Sequence, residues 1–85
     1  MNGSAVKLYA LSTCIHCRNT KEFLSGCGVD YECIDVDQLD ATARKNILEE
    51  VKRINPSCSF PTIIIGDKVI IGFRLDEIKE ALDLS

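Results

Sequence analysis

The chain has 85 residues, a formal net charge of -3 and an isoelectric point near 5.0. Hydrophobic residues make up 46% of it and charged residues 27%, an ordinary globular composition that excludes a disordered chain. The acidic balance argues against nucleic acid as a partner, and no apolar run approaches the roughly 20 residues that span a membrane. We therefore expect a single domain over residues 1–85 with no nucleic-acid or membrane partner. We also expect a monomer, although composition and charge do not determine the oligomeric state.

Two strand–helix units are predicted in the first two thirds of the chain. Alternating apolar residues predict a strand over residues 5–11, and helical spacing predicts an amphipathic helix with the apolar stripe Thr20, Phe23, Leu24 and Cys27. Residues 31–36 alternate again and predict a second strand. Asp40 is a suitable N-cap for a second helix that ends before Pro56 and has the apolar face Ile47, Leu48, Val51 and Ile54. As part of the first stripe, Cys27 is expected to be a small core residue.

The last third of the chain predicts a hairpin and a helix. The β-branched run Thr62–Ile65 suits a central strand buried on both faces, and Gly66-Asp67 suits a tight turn into a strand at 68–71. Leu75, Ile78 and Leu82 have the spacing of a last helix, whose acidic first turn matches the helix dipole. The order β-α-β-α-β-β-α predicts an α/β fold with three helices and a four-stranded mixed sheet, in which the first two strands are parallel.

Cys14 and Cys17 form a Cys-x-x-Cys motif where the first strand meets the first helix. Residues three apart share one helix face, at a separation that a disulfide can bridge. Cys14 would lie at the helix N-terminus, where free amides and the dipole favour the thiolate that performs thiol–disulfide exchange. Cys17, one turn later and more buried, would attack the mixed disulfide that Cys14 forms. Beside a β-α-β pattern, this motif indicates a redox-active dithiol.

The same cysteines are compatible with two other classes of protein. Structural zinc needs four ligands, and this chain has a single Cys-x-x-Cys motif and one histidine. A zinc or iron–sulfur binding module would therefore need Cys58 or a second subunit in addition to Cys14 and Cys17. The third alternative is an interaction protein with idle thiols, for which the pKa of Cys14 would be near the ordinary thiol value of about 8.5.

Three residues beside the motif each have two interpretations. His16 lies between the two cysteines, where a partly charged imidazole would lower the pKa of Cys14; alternatively it is an exposed residue of no special role. Arg18 and Lys21 follow on the same helix. They form either a solvated face or a positive field that favours the Cys14 thiolate and anionic substrates.

Five cysteines are an odd number, which would leave one thiol over in a closed disulfide framework. Residues 1–7 contain no charged segment followed by an apolar stretch, so we expect no secretory signal and a reducing compartment, the cytoplasm. Cys33 is either core or surface. Cys58, in the loop before Pro61, is either uninvolved or a third redox thiol or metal contact.

Pro61 opens the third strand, where a missing amide hydrogen is tolerated. X-Pro bonds are ordinarily trans, so the trans form is expected from the residue alone.

Three segments of the chain match a known pattern. They are Tyr9–Cys17 around the motif, Phe60-Pro61-Thr62, and Gly72–Asp76 before the last helix. Together they resemble the glutaredoxin family, where they correspond to the active-site turn, the cis-proline loop and a glycine-containing turn. The resemblance, which covers nearly the whole chain, implies a thioredoxin-like fold.

By that resemblance Cys14 is the nucleophile and Cys17 the resolving cysteine. It also implies a cis Pro61, a Phe60 backbone that pairs with an extended substrate like an added strand, and no tightly bound cofactor. The substrate-binding residues that it implies are Thr13, Phe60, Pro61, Arg74 and Asp76.

The chain departs from the family pattern where the family binds glutathione. Ile15-His16 replaces Pro-Tyr between the cysteines, Leu11 replaces a lysine that binds a glutathione carboxylate, and residues 72–76 replace a Gly-Gly and Asp-Asp turn. Each lost charged contact is typically worth ~1.5–3 kcal/mol, which predicts weak glutathione binding. The run Gly-Phe-Arg-x-Asp is similar to the redoxins that donate electrons to ribonucleotide reductase and are recharged by thioredoxin reductase. The resemblance thus implies an oxidoreductase of protein or small-molecule disulfides, with glutathione as co-substrate or thioredoxin reductase as the electron source.

Overall fold

The computed structural model describes residues 5–82 of the chain. Residues 1–4, part of the segment searched for a secretory signal, lie outside the described residues, as do residues 83–85. The elements are β1 (Val6–Ala10), α1 (Ile15–Gly26), β2 (Glu32–Asp35), α2 (Ala41–Ile54), β3 (Thr62–Ile65), β4 (Lys68–Ile71) and α3 (Leu75–Ala81). The predicted order of strands and helices is confirmed. Across residues 5–82, no helix is both long enough and apolar enough to span a membrane.

The four strands form one mixed sheet in the order β2-β1-β3-β4. β1 runs parallel to β2, the strand to which α1 connects it, and antiparallel to β3. β3 and β4 form the predicted hairpin, and Gly66 in its turn has a φ of 63°, a left-handed conformation that glycine adopts without steric cost. β3 lies inside the sheet and three of its four residues are buried, as expected of a central strand. The predicted α/β fold is therefore confirmed.

Helices pack on both faces of the sheet. On one face, residues of β1, β3 and β4 share a buried cluster with residues of α1 and α3, among them Leu8, Ile63, Ile70, Leu24 and Ile78. Tyr9, next to Leu8 along β1, points to the opposite face because side chains alternate along a strand. There it is fully buried, and its hydroxyl donates to Glu50 Oε1 of α2 at 2.8 Å. β1 is therefore covered on both sides, which fixes the position of the loop that follows it.

The end of α1 differs from the prediction. Gly28, with a φ of 71°, donates its N–H to the Ser25 carbonyl, and the Val29 N–H donates to the Leu24 carbonyl at 3.1 Å. This pair of bonds is a Schellman cap, which turns the chain away from the helix axis. Cys27 is the C-cap residue and is exposed, so its predicted core position is wrong. Val29, just beyond the cap, packs against the core in its place.

The two ends of α2 are fixed by side chains. Asp40 is the N-cap, as predicted, and its carboxylate accepts the Ala43 N–H at 2.8 Å. At the other end Asn55 is only 1% exposed, and its Nδ2 donates to the Ser59 carbonyl at 3.1 Å and to Thr62 Oγ1 at 3.0 Å. Asn55 therefore joins the end of α2 to the start of β3 and orders the loop between them.

Replacing Asn55 by alanine is expected to lower the free energy of unfolding by about 1–3 kcal/mol, because buried hydrogen-bonding groups lose their partner. Urea denaturation measures the change. Asn46→Ala is the matched control on the exposed side of α2, and it should leave the stability unchanged or slightly higher, since alanine is the better helix former. Equal stability of the two variants would contradict the role given to Asn55.

Candidate active site

Cys14 occupies the junction between β1 and α1. It is the N-cap of α1, with φ -86° and ψ 125°, and its carbonyl accepts the Arg18 N–H at 3.0 Å as the first bond of the helix. Its own N–H donates to the Leu11 carbonyl at 3.1 Å, which closes a turn after β1. The predicted placement of Cys14 at a helix N-terminus is confirmed.

The surroundings of the Cys14 sulfur favour its ionised form. The pKa of Cys14 is lowered chiefly by the Cys17 N–H, and also by the Cys17 thiol and the His16 N–H, while burial opposes them. Such N–H groups are available because the first turn of a helix leaves its amides without partners in the helix. Cys14 is also partly exposed. Cys14 thus combines a stabilised thiolate with access for a substrate. Its lowered pKa differs from the ordinary value that was expected of an idle thiol.

Cys17 has the opposite surroundings. It is 0% exposed, and burial raises its pKa to about 11, although the Leu11 N–H donates to its Sγ at 3.4 Å and opposes the shift. At neutral pH, Cys17 therefore keeps its proton while Cys14 is the first of the pair to ionise. The predicted greater burial of Cys17 is confirmed.

Asp37 holds the loop that precedes Cys14. It lies in a single 3-10 turn, Val36–Gln38, after β2, and its carboxylate accepts both the Ser12 N–H, at 2.8 Å, and the Ser12 hydroxyl. These bonds lower the pKa of Asp37, the hydroxyl contributing most. Our sequence reasoning missed this contact. The available signal was that parallel neighbours β1 and β2 end at the same edge of the sheet, which brings the residues after them together.

A groove of about 360 Å³ lies beside the start of α1, lined by His16, Phe60, Pro61, Ile71, Gly72, Phe73 and Arg74. The Phe60–Pro61 peptide is cis. The cis form of Pro61 that the family resemblance implies is therefore confirmed. The expectation of a trans bond is wrong, because it was based on X-Pro bonds in general and not on this loop. The Gly72 N–H donates to the Pro61 carbonyl at 2.8 Å and joins the two loops that form the groove.

The structure brings some of the predicted substrate-binding residues together but not all of them. Phe60, Pro61 and Arg74 share the groove, whereas Thr13 and Asp76 are exposed residues outside its lining. Thr13 directly precedes Cys14, and Asp76 lies in the first turn of α3. The groove is thus built from the loops before β3 and α3.

Two of the residues beside the motif, His16 and Arg18, have exposed side chains. His16 is exposed and acts on the pKa of Cys14 through its backbone N–H. The proposed effect of its imidazole stays a prediction. Arg18 is 73% exposed and pairs with Glu22 at 3.3 Å, so it belongs to the solvated face of α1.

All five cysteines are free thiols. Cys33 is exposed on β2, and Cys58 is partly buried in the loop before Pro61 but does not line the groove. Within residues 5–82, no three Cys, His, Asp or Glu side chains lie close enough to share a metal ion. The zinc or iron–sulfur alternative therefore lacks a ligand set within this part of a single chain.

The difference between the two thiols predicts their order of modification. In the reduced protein, iodoacetamide at about pH 6.5–7 is expected to alkylate Cys14 fastest of the five cysteines and to leave Cys17 unmodified, because only a thiolate reacts. Peptide mass spectrometry with time resolves each site. Labelling of Cys17 ahead of Cys14 would overturn this view of the site.

Comparison with known proteins gives a consistent result. The family model for glutaredoxin matches residues 6–70. The Escherichia coli glutaredoxin-like protein NrdH is 32% identical over 73 residues, which cover 86% of this chain and 83% of that protein. The crystal structure of Methanosarcina acetivorans methanoredoxin superposes with a TM-score of 0.88 at 41% identity and covers 95% of both chains.

A second solved structure, the glutaredoxin of Methanosarcina mazei Go1, is 48% identical with a TM-score of 0.84, and the match covers 92% of this chain and 77% of that one. The matched sequence and the superposed fold both agree with these relatives. The chain belongs to the glutaredoxin family, has its thioredoxin-like fold, and is similar to NrdH-type members of it.

Proposed function

We propose that this protein reduces disulfides of proteins or small molecules, with Cys14 as the nucleophile and Cys17 as the resolving cysteine. The glutaredoxin family consists of thiol–disulfide oxidoreductases, and membership supports that general activity. The observation that carries the assignment of roles is the contrast between the two thiols. Cys14 is accessible with a lowered pKa, whereas Cys17 is buried with a raised one.

The reaction has two exchange steps. The Cys14 thiolate attacks one sulfur of the substrate disulfide, so that a Cys14–substrate disulfide forms, the substrate disulfide breaks and the first substrate thiolate leaves and takes up a proton. Cys17 then loses its proton and attacks Cys14 Sγ. The Cys14–Cys17 disulfide forms as the second substrate thiolate leaves and is protonated. The substrate gains two electrons and two protons, and the dithiol is oxidised.

The groove positions the substrate in this proposal. An extended segment beside the disulfide pairs with the backbone at Phe60, as an added strand would, and rests on the apolar wall of Phe60 and Pro61. Arg74 supplies a cation in the lining of the groove. Thr13 contacts the substrate next to Cys14, and Asp76 contacts it from the start of α3.

Thioredoxin reductase, rather than glutathione, recharges the Cys14–Cys17 disulfide in this proposal. Leu11 stands where glutathione-binding members of the family have a lysine, and its backbone is already engaged with Cys17. The groove is lined largely by apolar residues, with Arg74 as its one permanently charged side chain among the described residues.

In this proposal the protein acts in a reducing compartment, the cytoplasm, and its free cysteines suit that environment. It acts as a monomer without a tightly bound cofactor.

The roles of the two cysteines predict opposite phenotypes. Cys14→Ser should abolish reduction of a model disulfide, since no thiolate remains to start the exchange. Cys17→Ser should instead accumulate a mixed disulfide on Cys14, visible by mass spectrometry as the protein plus one half of the substrate. Wild-type turnover by Cys14→Ser would show that the mechanism is wrong. Cys58→Ser is the matched control and should retain activity.

The electron source is decided by one assay run with two reductants. With thioredoxin reductase and its nicotinamide cofactor the protein should turn over a model disulfide, and with glutathione and glutathione reductase it should be slower by about tenfold or more, given the charged contacts that are missing. Leu11→Lys should raise the glutathione rate, whereas Asn46→Lys, the same change on the exposed side of α2, should not. A faster wild-type rate with glutathione would reverse the assignment of the reductant.

A further inference from the structure

Lys21 forms a partly buried ion pair about one helical turn after the resolving cysteine. Its Nζ lies 2.8 Å from Asp35 Oδ1, with side chains that are 29% and 31% exposed. Asp35 is the last residue of β2 and is paired in register with Ala10, the residue before Leu11. The Leu11 N–H is the group that donates to Cys17 Sγ. The ion pair therefore fixes the ammonium of Lys21 at the edge of the sheet that supports Cys17.

Lys21 and Cys17 also share a face of α1. They are four residues apart, a spacing that places side chains one above the other on a helix. Cys17 is completely buried, so its thiolate receives little stabilisation from water. Arg18, the other basic residue of α1, is exposed and pairs with Glu22. Lys21 is thus the basic residue of α1 that is placed to act on the Cys17 sulfur.

We propose that Lys21 is a positioning residue for the second exchange step: its ammonium, held in place by Asp35, stabilises the Cys17 thiolate as it attacks the mixed disulfide. This inference rests on the proposed function, because it assigns a role within the resolving step. In that step the Cys17 proton leaves to solvent, the Cys17–Cys14 bond forms, and the Cys14–substrate bond breaks to release a substrate thiolate that takes up a proton.

The electrostatics of the two cysteines agree with a selective role. Burial raises the pKa of Cys17; the Leu11 N–H is the main group that opposes it, and the charge of Lys21 opposes it to a smaller extent, while the pKa of Cys14 is governed by the amides and the thiol at the start of α1. The groups that face Lys21 from the neighbouring segment are Asp35 and Cys33 on β2 and Tyr31 just before it. Cys14 faces Cys17 from their own helix. Removing Lys21 should therefore slow the second step and spare the first.

The test measures the two steps separately in single turnovers. Reduced protein is mixed with excess of a model disulfide whose halves differ in absorbance; release of the first half reports attack by Cys14, and release of the second reports resolution by Cys17. In Lys21→Met the first rate should be unchanged. The second should fall by about two- to threefold, because a smaller fraction of Cys17 is thiolate without the neighbouring charge. The ratio between the second-step rates of the wild-type protein and of Lys21→Met should stay the same across about pH 6.5–9, where Cys17 is mostly protonated.

Two further variants separate an electrostatic role from a structural one. Lys21→Arg keeps the charge and should restore the second rate, whereas Lys21→Gln should behave like Lys21→Met and takes its place if that variant is unfolded. Arg18→Met removes the same charge from the exposed side of α1 and should alter neither step. Thermal unfolding of each variant shows whether lost stability, rather than lost charge, accompanies a change in rate.

The possible results are distinct. A slower second step in Lys21→Met or Lys21→Gln, rescued by arginine, supports the inference. An unchanged ratio of the two rates, or a loss that arginine does not restore, overturns it while the roles of the cysteines stand. If no mixed disulfide forms on Cys14 in the wild-type protein, the proposed function itself has failed, and this inference fails with it.

Discussion

The chemistry of this domain depends on where α1 begins. Because Cys14 is the N-cap residue, the free amides of the first turn, above all that of Cys17, favour negative charge on its sulfur. Three residues later the same helix has turned toward the core, and burial holds the proton on Cys17. One helical turn thus gives two chemically identical thiols different pKa values. A start of the helix one residue earlier or later would move Cys14 away from those amides.

The rest of the fold keeps that turn in place. β1 is covered by helices on both faces, and its extension at Leu11 supplies the N–H that contacts Cys17. Asp37 fixes Ser12 in the loop just before Cys14. On the other side of the groove, Asn55 orders the segment before β3, and a bond from Gly72 to the Pro61 carbonyl joins it to the loop before α3. Loops from three parts of the chain are therefore held against the start of one helix.

Local spacing was enough to predict the strands, the helices and the position of Cys14, since each depends on periodicity or on a motif of four residues. The Cys27 prediction failed because a helix end is decided by its cap bonds, and the Schellman turn at Gly28 ends α1 before Cys27 can join its stripe. The cis form of Pro61 followed from the family resemblance and not from the residue. The Ser12–Asp37 and Lys21–Asp35 contacts join residues 25 and 14 positions apart, and such contacts depend on how β1 and β2 pair.

The most direct test of this account is a site-resolved titration of the reduced wild-type protein, in which the ¹³Cβ shifts of labelled Cys14 and Cys17 are followed by NMR against pH. Each shift responds most strongly to ionisation of its own thiol, and the measurement needs no substrate or reductant. The account predicts that Cys14 ionises below the ordinary pKa of a thiol and that Cys17 ionises far above it, near 11. Titration of both thiols together near the ordinary value, or of Cys17 before Cys14, would contradict it.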